Sequence, residues 1–258
     1  MTAFESGDRI LKREDADVAA LAQQYLEEDG VHFHFNAVTK EIKNVGDTVV
    51  VVTESGEEFV FDALLHATGR KANTEGLGLE HTDIQVRSND SIVTDDTLMT
   101  SVPNVFAVGD VNGGPQFTYV SLDDFRIVNR VLHGDESYKL GNRARVPYST
   151  FITPALSHVG LHEEEAKAEY PNAVTAVLPV NNMPRHAVNQ DPRGVFKLTV
   201  NKDTGLILGA TLFGKNSEEL INIIKMAMDN DIKYTYLRDQ IFTHPTMAEN
   251  LNDLAKLI

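Results

Sequence analysis

The sequence has no cysteine and no tryptophan among its 258 residues. The absence of cysteine excludes disulfide bonds, thiolate metal sites, and a cysteine nucleophile or redox pair within these residues. The sequence also shows no internal repeat and no low-complexity tract.

Basic residues are few compared with acidic ones. The chain carries 23 lysines and arginines against 38 aspartates and glutamates, a formal charge of −15. Proteins that bind nucleic acids need a basic face to displace counterions from phosphates, so we expect no nucleic-acid partner. The N-terminus lacks the basic and apolar stretches of a secretory signal, and no apolar run approaches the ~20 residues of a membrane span. We expect a cytoplasmic, soluble protein that does not contact a membrane.

The first 68 residues resemble the rear half of an α/β unit. A short strand ends at Glu5, and an apolar stripe with helical spacing follows it. Asp15 or Asp17 is a suitable N-cap for that helix, and Gly30 is a suitable residue after its last turn. Short strand-like segments separated by glycine turns come next. A helix followed by a small antiparallel meander is the expected structure.

The sequence pattern of residues 69–258 indicates two further structural segments. Residues 69–145 are rich in turns and include a predicted strand at 105–108 and a helix at 121–132. Residues 146–258 predict an independent α+β domain. Its expected helices lie at 161–169, 217–230 and 246–257.

Two motifs carry residues suited to binding and proton transfer. Gly109 and Asp110 follow the apolar run at 105–108, where a glycine admits a ligand close to the backbone and a carboxylate can bond sugar-type hydroxyls. His244 precedes Pro245, and Glu249 lies little more than one helical turn later. Histidine exchanges protons near neutral pH, and a nearby carboxylate can hold one tautomer of its ring.

Three motifs in this order, HATGR at 66–70, SVPNVFAVGDV at 101–111 and HPTMAE at 244–249, carry a family resemblance. The chain resembles the pyridine nucleotide-disulfide oxidoreductases, the flavoprotein family of glutathione reductase, lipoamide dehydrogenase and mercuric reductase. The stretch GPQFTYVSLDDFRIV at 114–128 is most similar to the bacterial branch linked to reactive chlorine resistance.

The resemblance implies a fold class and a division of the chain. The fold is α/β plus α+β, with truncated, Rossmann-type FAD- and NAD-binding segments followed by an α+β dimerisation domain. Residues 1–68 would be the C-terminal part of the NAD-binding domain, 69–145 the returning part of the FAD-binding domain, and 146–258 the interface domain.

The resemblance also implies roles for individual residues. Asp110 would bond the ribityl chain of FAD, Gly109 would admit it, and the backbone around Thr118 would reach the flavin pyrimidine edge. Gly69 would lie against the nicotinamide cofactor, and Glu5 would bind the adenosine ribose diol of NAD, although a solvated strand end is an alternative reading of Glu5. Nearby arginines at positions 9 and 13 leave the choice between NADH and NADPH open.

His244 and Glu249 match the acid–base motif of the family. In relatives with the same His-Pro-Thr string the His–Pro bond is cis, the carboxylate binds the imidazole, and the motif faces the flavin and disulfide of the other subunit. The resemblance therefore implies a cis bond between His244 and Pro245, a hydrogen bond from the ring to Glu249, and a homodimer.

The chain departs from the family at its N-terminal side. It has no glycine-rich FAD loop, no redox cysteine pair and no second phosphate loop before the strand that ends at Glu5. We expect a C-terminal piece of a longer oxidoreductase that passes electrons from NAD(P)H through FAD to a cysteine pair. The acceptor would be a small-molecule oxidant or a disulfide, and the piece alone would have no disulfide reductase activity. The alternative is a stand-alone dimerisation module.

No metal site is expected. His32 and His34 share one face of a predicted strand and could bind a metal. The sequence supplies no evident third ligand beside them, so they are interpreted as ordinary strand histidines.

Overall fold

The computed structural model describes all 258 residues, which divide into two compact units. One unit contains residues 1–64 together with 145–258, and the other contains residues 65–144. The division into segments at 1–68, 69–145 and 146–258 stays a prediction. None of the helices combines the length and apolar character that crossing a membrane requires.

The first 64 residues form a parallel strand pair, one helix and a three-stranded antiparallel sheet. The elements are β1 (Thr2–Phe4), α1 (Ala16–Glu28), β2 (His32–His34), β3 (Thr39–Val45), β4 (Thr48–Thr53) and β5 (Glu58–Phe61). Strand β1 pairs with β2, and β4 lies between β3 and β5. The apolar stripe of α1 buries Val18 and Ala22 completely, which agrees with its predicted helical period.

Residues 65–144 contain one long helix, α2 (Thr118–Leu132), and much irregular backbone. The prediction of a strand at 105–108 is wrong, because only an isolated β-bridge between Met99 and Phe106 forms there. A strand requires a partner to satisfy its backbone groups, and this unit supplies none of sufficient length. A single 3₁₀ turn at Gly109–Asn112 follows the run.

Residues 145–258 build a five-stranded antiparallel sheet in the order β6-β7-β10-β9-β8. Its strands are β6 (Tyr148–Thr150), β7 (Leu156–Gly160), β8 (Ala173–Pro179), β9 (Val195–Asn201) and β10 (Ile207–Phe213). The helices are α3 (Glu163–Glu169), α4 (Pro184–Asn189), α5 (Ser217–Asp229), α6 (Tyr234–Asp239) and α7 (Asn250–Ala255). The helix predicted over 246–257 is therefore shorter and begins at Asn250.

Two apolar clusters stabilise this unit. The larger one packs β9 and β10 against α5 and α7, with Phe196, Ile224 and Leu254 fully buried. The smaller one joins α1 to the sheet through Val18, Ala22, Leu156 and Phe213. Helix α1 is thereby packed onto the five-stranded sheet of the same compact unit.

A buried ammonium group makes a second connection between the same parts. Lys197 on β9 is 3% exposed, and its Nζ lies 2.7 Å from Asp15, 2.7 Å from Glu163 and 3.1 Å from Asp17. Burial alone lowers the pKa of Lys197, but hydrogen bonds to the three carboxylates outweigh it and raise that pKa above the usual range. Asp15, predicted as an N-cap, precedes α1 but makes no side-chain cap bond, because its carboxylate binds Lys197.

Candidate functional site

The residues predicted for the functional site lie in both compact units. The acid–base pair and the acidic residue after β1 belong to the unit of residues 1–64 and 145–258. The other four belong to the unit of residues 65–144: Gly69, Gly109, Asp110 and Thr118.

His244 and Glu249 form the hydrogen-bonded pair that the sequence predicts. Nδ1 of His244 lies 2.7 Å from Oε2 of Glu249, and the bond between His244 and Pro245 is cis, also as predicted. The His244 side chain is 72% exposed, whereas that of Glu249 is 17% exposed. An ionised carboxylate beside Nδ1 favours the tautomer protonated there, which leaves Nε2 as the free basic nitrogen.

The Glu249 carboxylate is held in place by two reciprocal bonds with Thr246. Its Oε1 accepts the Thr246 backbone N–H at 3.1 Å, and Oγ1 of Thr246 accepts the Glu249 N–H at 3.2 Å. This is the capping box of a Thr-x-x-Glu segment. One carboxylate therefore closes the turn before α7 with one oxygen and orients the His244 ring with the other.

The turn that carries His244 is anchored on both sides. Met247 is 3% exposed and packs into the larger apolar cluster. Arg185 on α4 donates from Nη1 to the carbonyl oxygen of Pro245 at 2.9 Å. These contacts hold the backbone on either side of Thr246 while the imidazole remains accessible.

An open cleft of about 570 Å³ in the other unit contains three of the four predicted residues. Gly109 has a φ of +71°, and a Cβ at this position would lie only 2.8 Å from Oγ of Ser121. Asp110 points a half-exposed carboxylate toward Nη1 of Arg70, 3.6 Å away. Thr118 begins α2 at the same cleft, so the N-terminal end of this helix lies at its edge.

A buried carboxylate that sequence reasoning missed holds this cleft together. Asp124 is 1% exposed and accepts hydrogen bonds from the Gly109 N–H at 2.7 Å and the Asn112 side chain at 2.9 Å. Arg143 pairs with its second oxygen. The signal was present, because Asp124 lies between Val120 and Ile127 on the apolar face of α2.

Glu5 directly follows β1, as predicted, and binds groups of its own segment. Its Oε1 accepts the Gly7 N–H at 2.7 Å and lies 2.9 Å from Nζ of Lys12. The hydrogen bonds from Lys12 and Gly7 lower the pKa of this carboxyl group, so it is ionised at neutral pH. Lys12 is therefore the cation beside Glu5, whereas the sequence-based prediction named only Arg9 and Arg13 as basic residues near this carboxylate.

Gly69 lies in an exposed loop with a φ of +117°, a conformation that favours glycine. No heavy atom lies within 4 Å of the position that its Cβ would occupy. Its backbone is therefore open to a partner molecule, and the unit itself gives no packing reason for a glycine there.

Two family matches cover most of the chain. Residues 1–124 match the family described as pyridine nucleotide-disulphide oxidoreductase. Residues 146–255 match the dimerisation domain of the same family.

Similar proteins include an oxidoreductase and a reductase of two different bacteria. The chain is 44% identical to the probable pyridine nucleotide-disulfide oxidoreductase RclA of Escherichia coli, over 100% of this chain and 58% of that protein. It is 32% identical to a mercuric reductase of Staphylococcus aureus, over 97% of this chain and 46% of that protein. The chain thus spans about half the length of these relatives.

Solved structures agree with the sequence comparison. The structure described as HOCl-induced flavoprotein disulfide reductase RclA from Escherichia coli superposes with a TM-score of 0.94 at 43% identity, covering 100% of this chain and 59% of that one. LpdA from Mycobacterium tuberculosis superposes with a TM-score of 0.91 at 26% identity, covering 99% and 55%. The predicted fold class, partial FAD/NAD-binding segments followed by a dimerisation domain, is confirmed. This chain belongs to the pyridine nucleotide-disulphide oxidoreductase family, as its motifs predict, on the side of the family that includes RclA.

Proposed function

We propose that this chain is the C-terminal portion of an FAD-dependent NAD(P)H oxidoreductase that delivers electrons to a cysteine pair outside these residues and then to an acceptor. The observation that carries the proposal is the His244–Glu249 pair, an accessible imidazole whose Nδ1 is held by a carboxylate. Bound FAD would accept hydride from NAD(P)H and relay electrons to the cysteine pair. His244 would hold and return the proton of the thiol, oriented by Glu249.

The cleft in residues 65–144 is suited to the flavin cofactor. Its exposed Asp110 carboxylate can accept hydrogen bonds from the hydroxyls of a ribityl chain. Gly109 lies in the cleft with a φ of +71°, a backbone conformation that favours glycine, and the Thr118 N–H at the start of α2 can donate to the oxygens of a heterocycle edge. These features support FAD binding by this portion of the protein.

Gly69 and Glu5 are proposed to contact the nicotinamide cofactor. The exposed backbone of Gly69 can approach a flat ring, and Glu5 is an ionised acceptor at the end of β1, where an adenosine ribose diol would be bound. Lys12, 2.9 Å from Glu5, could also bind a 2′-phosphate. Both NADH and NADPH therefore remain candidates.

The His244 side chain supports a homodimer. Its imidazole is exposed and does not pack into the core of its own unit, which is what a motif aimed at a partner subunit requires. The match of residues 146–255 to a dimerisation domain supports the same proposal.

The acceptor is proposed to be a disulfide or another small-molecule oxidant. The E. coli relative is described as HOCl-induced, and its structures include a Cu(II) complex. Copper(II) and oxidised halogen species such as hypothiocyanous acid are therefore the acceptors to assay first with the full-length protein.

The test is to replace Asp110 with alanine in the full-length protein and measure FAD retention. Loss of the acceptor for a buried hydroxyl should weaken binding by about 1–3 kcal/mol, or roughly five- to 150-fold. The control is Asp135→Ala, which removes another exposed aspartate paired with an arginine, Arg130, at 3.2 Å. Unchanged flavin content in Asp110→Ala after extensive dialysis would contradict the assigned role.

The alternative is that this polypeptide acts only as a dimerisation module, which the absence of cysteine favours for the piece itself. The absorption spectrum of the purified chain discriminates between the two. A yellow flavin spectrum supports a portion that retains the cofactor, whereas a colourless dimer that does not take up added FAD supports the module.

A further inference from the structure

A buried polar cluster forms where the segment before α1 meets β6, β7 and the start of α3. None of its members belongs to the proposed redox site. Glu14 is 5% and His158 2% exposed, and the rings of His158 and His162 stack with their centroids 3.8 Å apart. One possible ligand atom from each of these three side chains lies within 4.8 Å of the other two.

Two buried atoms of the cluster have no hydrogen-bond partner: Oε2 of Glu14 and Nδ1 of His162. The Tyr148 hydroxyl donates to Oε1 of Glu14 at 2.7 Å, so it accepts from Nε2 of His162, which lies 3.3 Å away. With Nε2 as the donor to Tyr148, the tautomer with one ring proton carries it on Nε2 and has a lone pair on Nδ1. Both atoms are therefore available to bind a cation.

His158 presents its ring in the manner of a metal ligand. Its Nε2 lies 3.0 Å from the Gly160 carbonyl oxygen and must donate to it, which leaves Nδ1 as the acceptor that Oγ1 of Thr211 contacts at 2.9 Å. A ring N–H bonded to a backbone carbonyl is the outer contact common to metal-bound histidines. Burial lowers the pKa of His158 to about 4, so the ring is neutral at pH 7, the form that binds metals.

The charges around the cluster favour an added cation. Lys197 is already bound by three carboxylates, whereas Glu14 forms no ion pair. Oδ1 of Asp15 lies 3.7 Å from the unpartnered Nδ1 of His162. The competing explanation is a protonated Glu14, because burial raises the pKa of this carboxyl group.

We propose that Glu14, His158 and His162 bind one divalent transition-metal ion, and that Zn²⁺ is the ion this donor set favours. Two imidazoles and one carboxylate form a known zinc ligand set that leaves the fourth position to water. Ligands of a tetrahedral zinc ion lie about 3.4 Å apart, so the three side chains must close in slightly and Thr211 must release His158. The ion would join the segment before α1 to β7 and α3.

The test uses the full chain, stripped of metal with a chelator, in equilibrium dialysis against Zn²⁺ with the bound metal counted by mass spectrometry. We expect one Zn²⁺ per chain. Co²⁺ should give the visible absorption of a tetrahedral site without thiolate bands, because the chain has no cysteine. Glu14→Gln and His162→Asn should each weaken Zn²⁺ binding by about tenfold or more.

Two variants serve as controls, His32→Asn and His244→Asn, which remove exposed imidazoles elsewhere in the chain. Both should bind Zn²⁺ like the unaltered chain. If Glu14→Gln does not fold, the Zn²⁺ binding of His162→Asn tests the proposal. The His162 side chain is 15% exposed, so its replacement disturbs the packing less. The proposal is overturned if the unaltered chain binds no Zn²⁺, if His162→Asn binds it equally well, or if His244→Asn abolishes binding.

Discussion

At the scale of single residues, Glu249 performs two tasks with its two oxygens. Oε2 binds the His244 ring at 2.7 Å and Oε1 closes the capping box with Thr246 at 3.1 Å. A glutamine of the same size offers one oxygen and one NH₂ group, so it can serve only one of these donors. Substitution should therefore separate the proton chemistry from the fold of the turn.

We predict that Glu249→Gln in the full-length protein slows the thiol half-reaction and leaves flavin reduction by NAD(P)H nearly unchanged. The physical reason is that the imidazole loses the carboxylate that fixes its tautomer, while every residue of the cleft in residues 65–144 is kept. Stopped-flow spectroscopy measures the two half-reactions separately. Glu219→Gln, which alters a first-turn glutamate of α5, is the control. Equal slowing of both half-reactions would contradict the assignment.

At the scale of helices and strands, α1 contacts the five-stranded sheet through apolar packing and through the buried ammonium group of Lys197. Lys197 extends from β9 between Asp15 and Asp17 at the start of α1 and Glu163 at the start of α3. Removing one partner of a buried ion network leaves charges without compensation, and this loss exceeds the net stabilisation by the network itself.

We predict that Lys197→Met lowers the free energy of unfolding by about 3–5 kcal/mol, because three carboxylates then lose their shared cation. Lys167→Met is the matched control: it removes an exposed lysine that also contacts Glu163 and should cost at most about 1 kcal/mol. Urea unfolding of both variants at neutral pH measures the difference. Equal stability of the two variants would show that the network contributes little.

The helices and strands also show which parts of the fold and of the candidate site could be predicted from the sequence. The apolar stripes of α1 and α5 and the run of β4 lie within single elements, so their period predicted them well. The run at 105–108 has the composition of a strand but no neighbour to pair with. The Lys197 network and the Glu14 cluster join residues more than 100 positions apart, and a single sequence has no local signal for them. The His244–Glu249 bond was predictable because it spans five residues.

At the scale of the whole molecule, residues 145–258 expose large apolar side chains that do not contribute to the buried core. They include Phe151 at 81% and Ile241 at 96% exposure, and Met226 at 66%. Together with the match to a dimerisation domain, these side chains support self-association of residues 146–258. A stable interface would bury more than about 1,000 Å² in total.

We predict that the chain sediments as a dimer at micromolar concentration and that Ile241→Lys shifts it toward monomer. A charged side chain would lose its hydration in an apolar interface. Leu132→Lys, on an exposed apolar residue of α2, is the control and should leave the dimer intact. A monomeric unaltered chain at this concentration would count decisively against the proposal.

The burial of Lys197 determines how its ion pairs respond to ionic strength. At 1 M monovalent electrolyte the Debye length is about 3 Å, so exposed pairs such as Lys12 with Glu5 are largely screened. Mobile ions cannot reach a Lys197 ammonium that is 3% exposed. The attachment of α1 to the large sheet should therefore persist in concentrated electrolyte, while the contacts around Glu5 loosen.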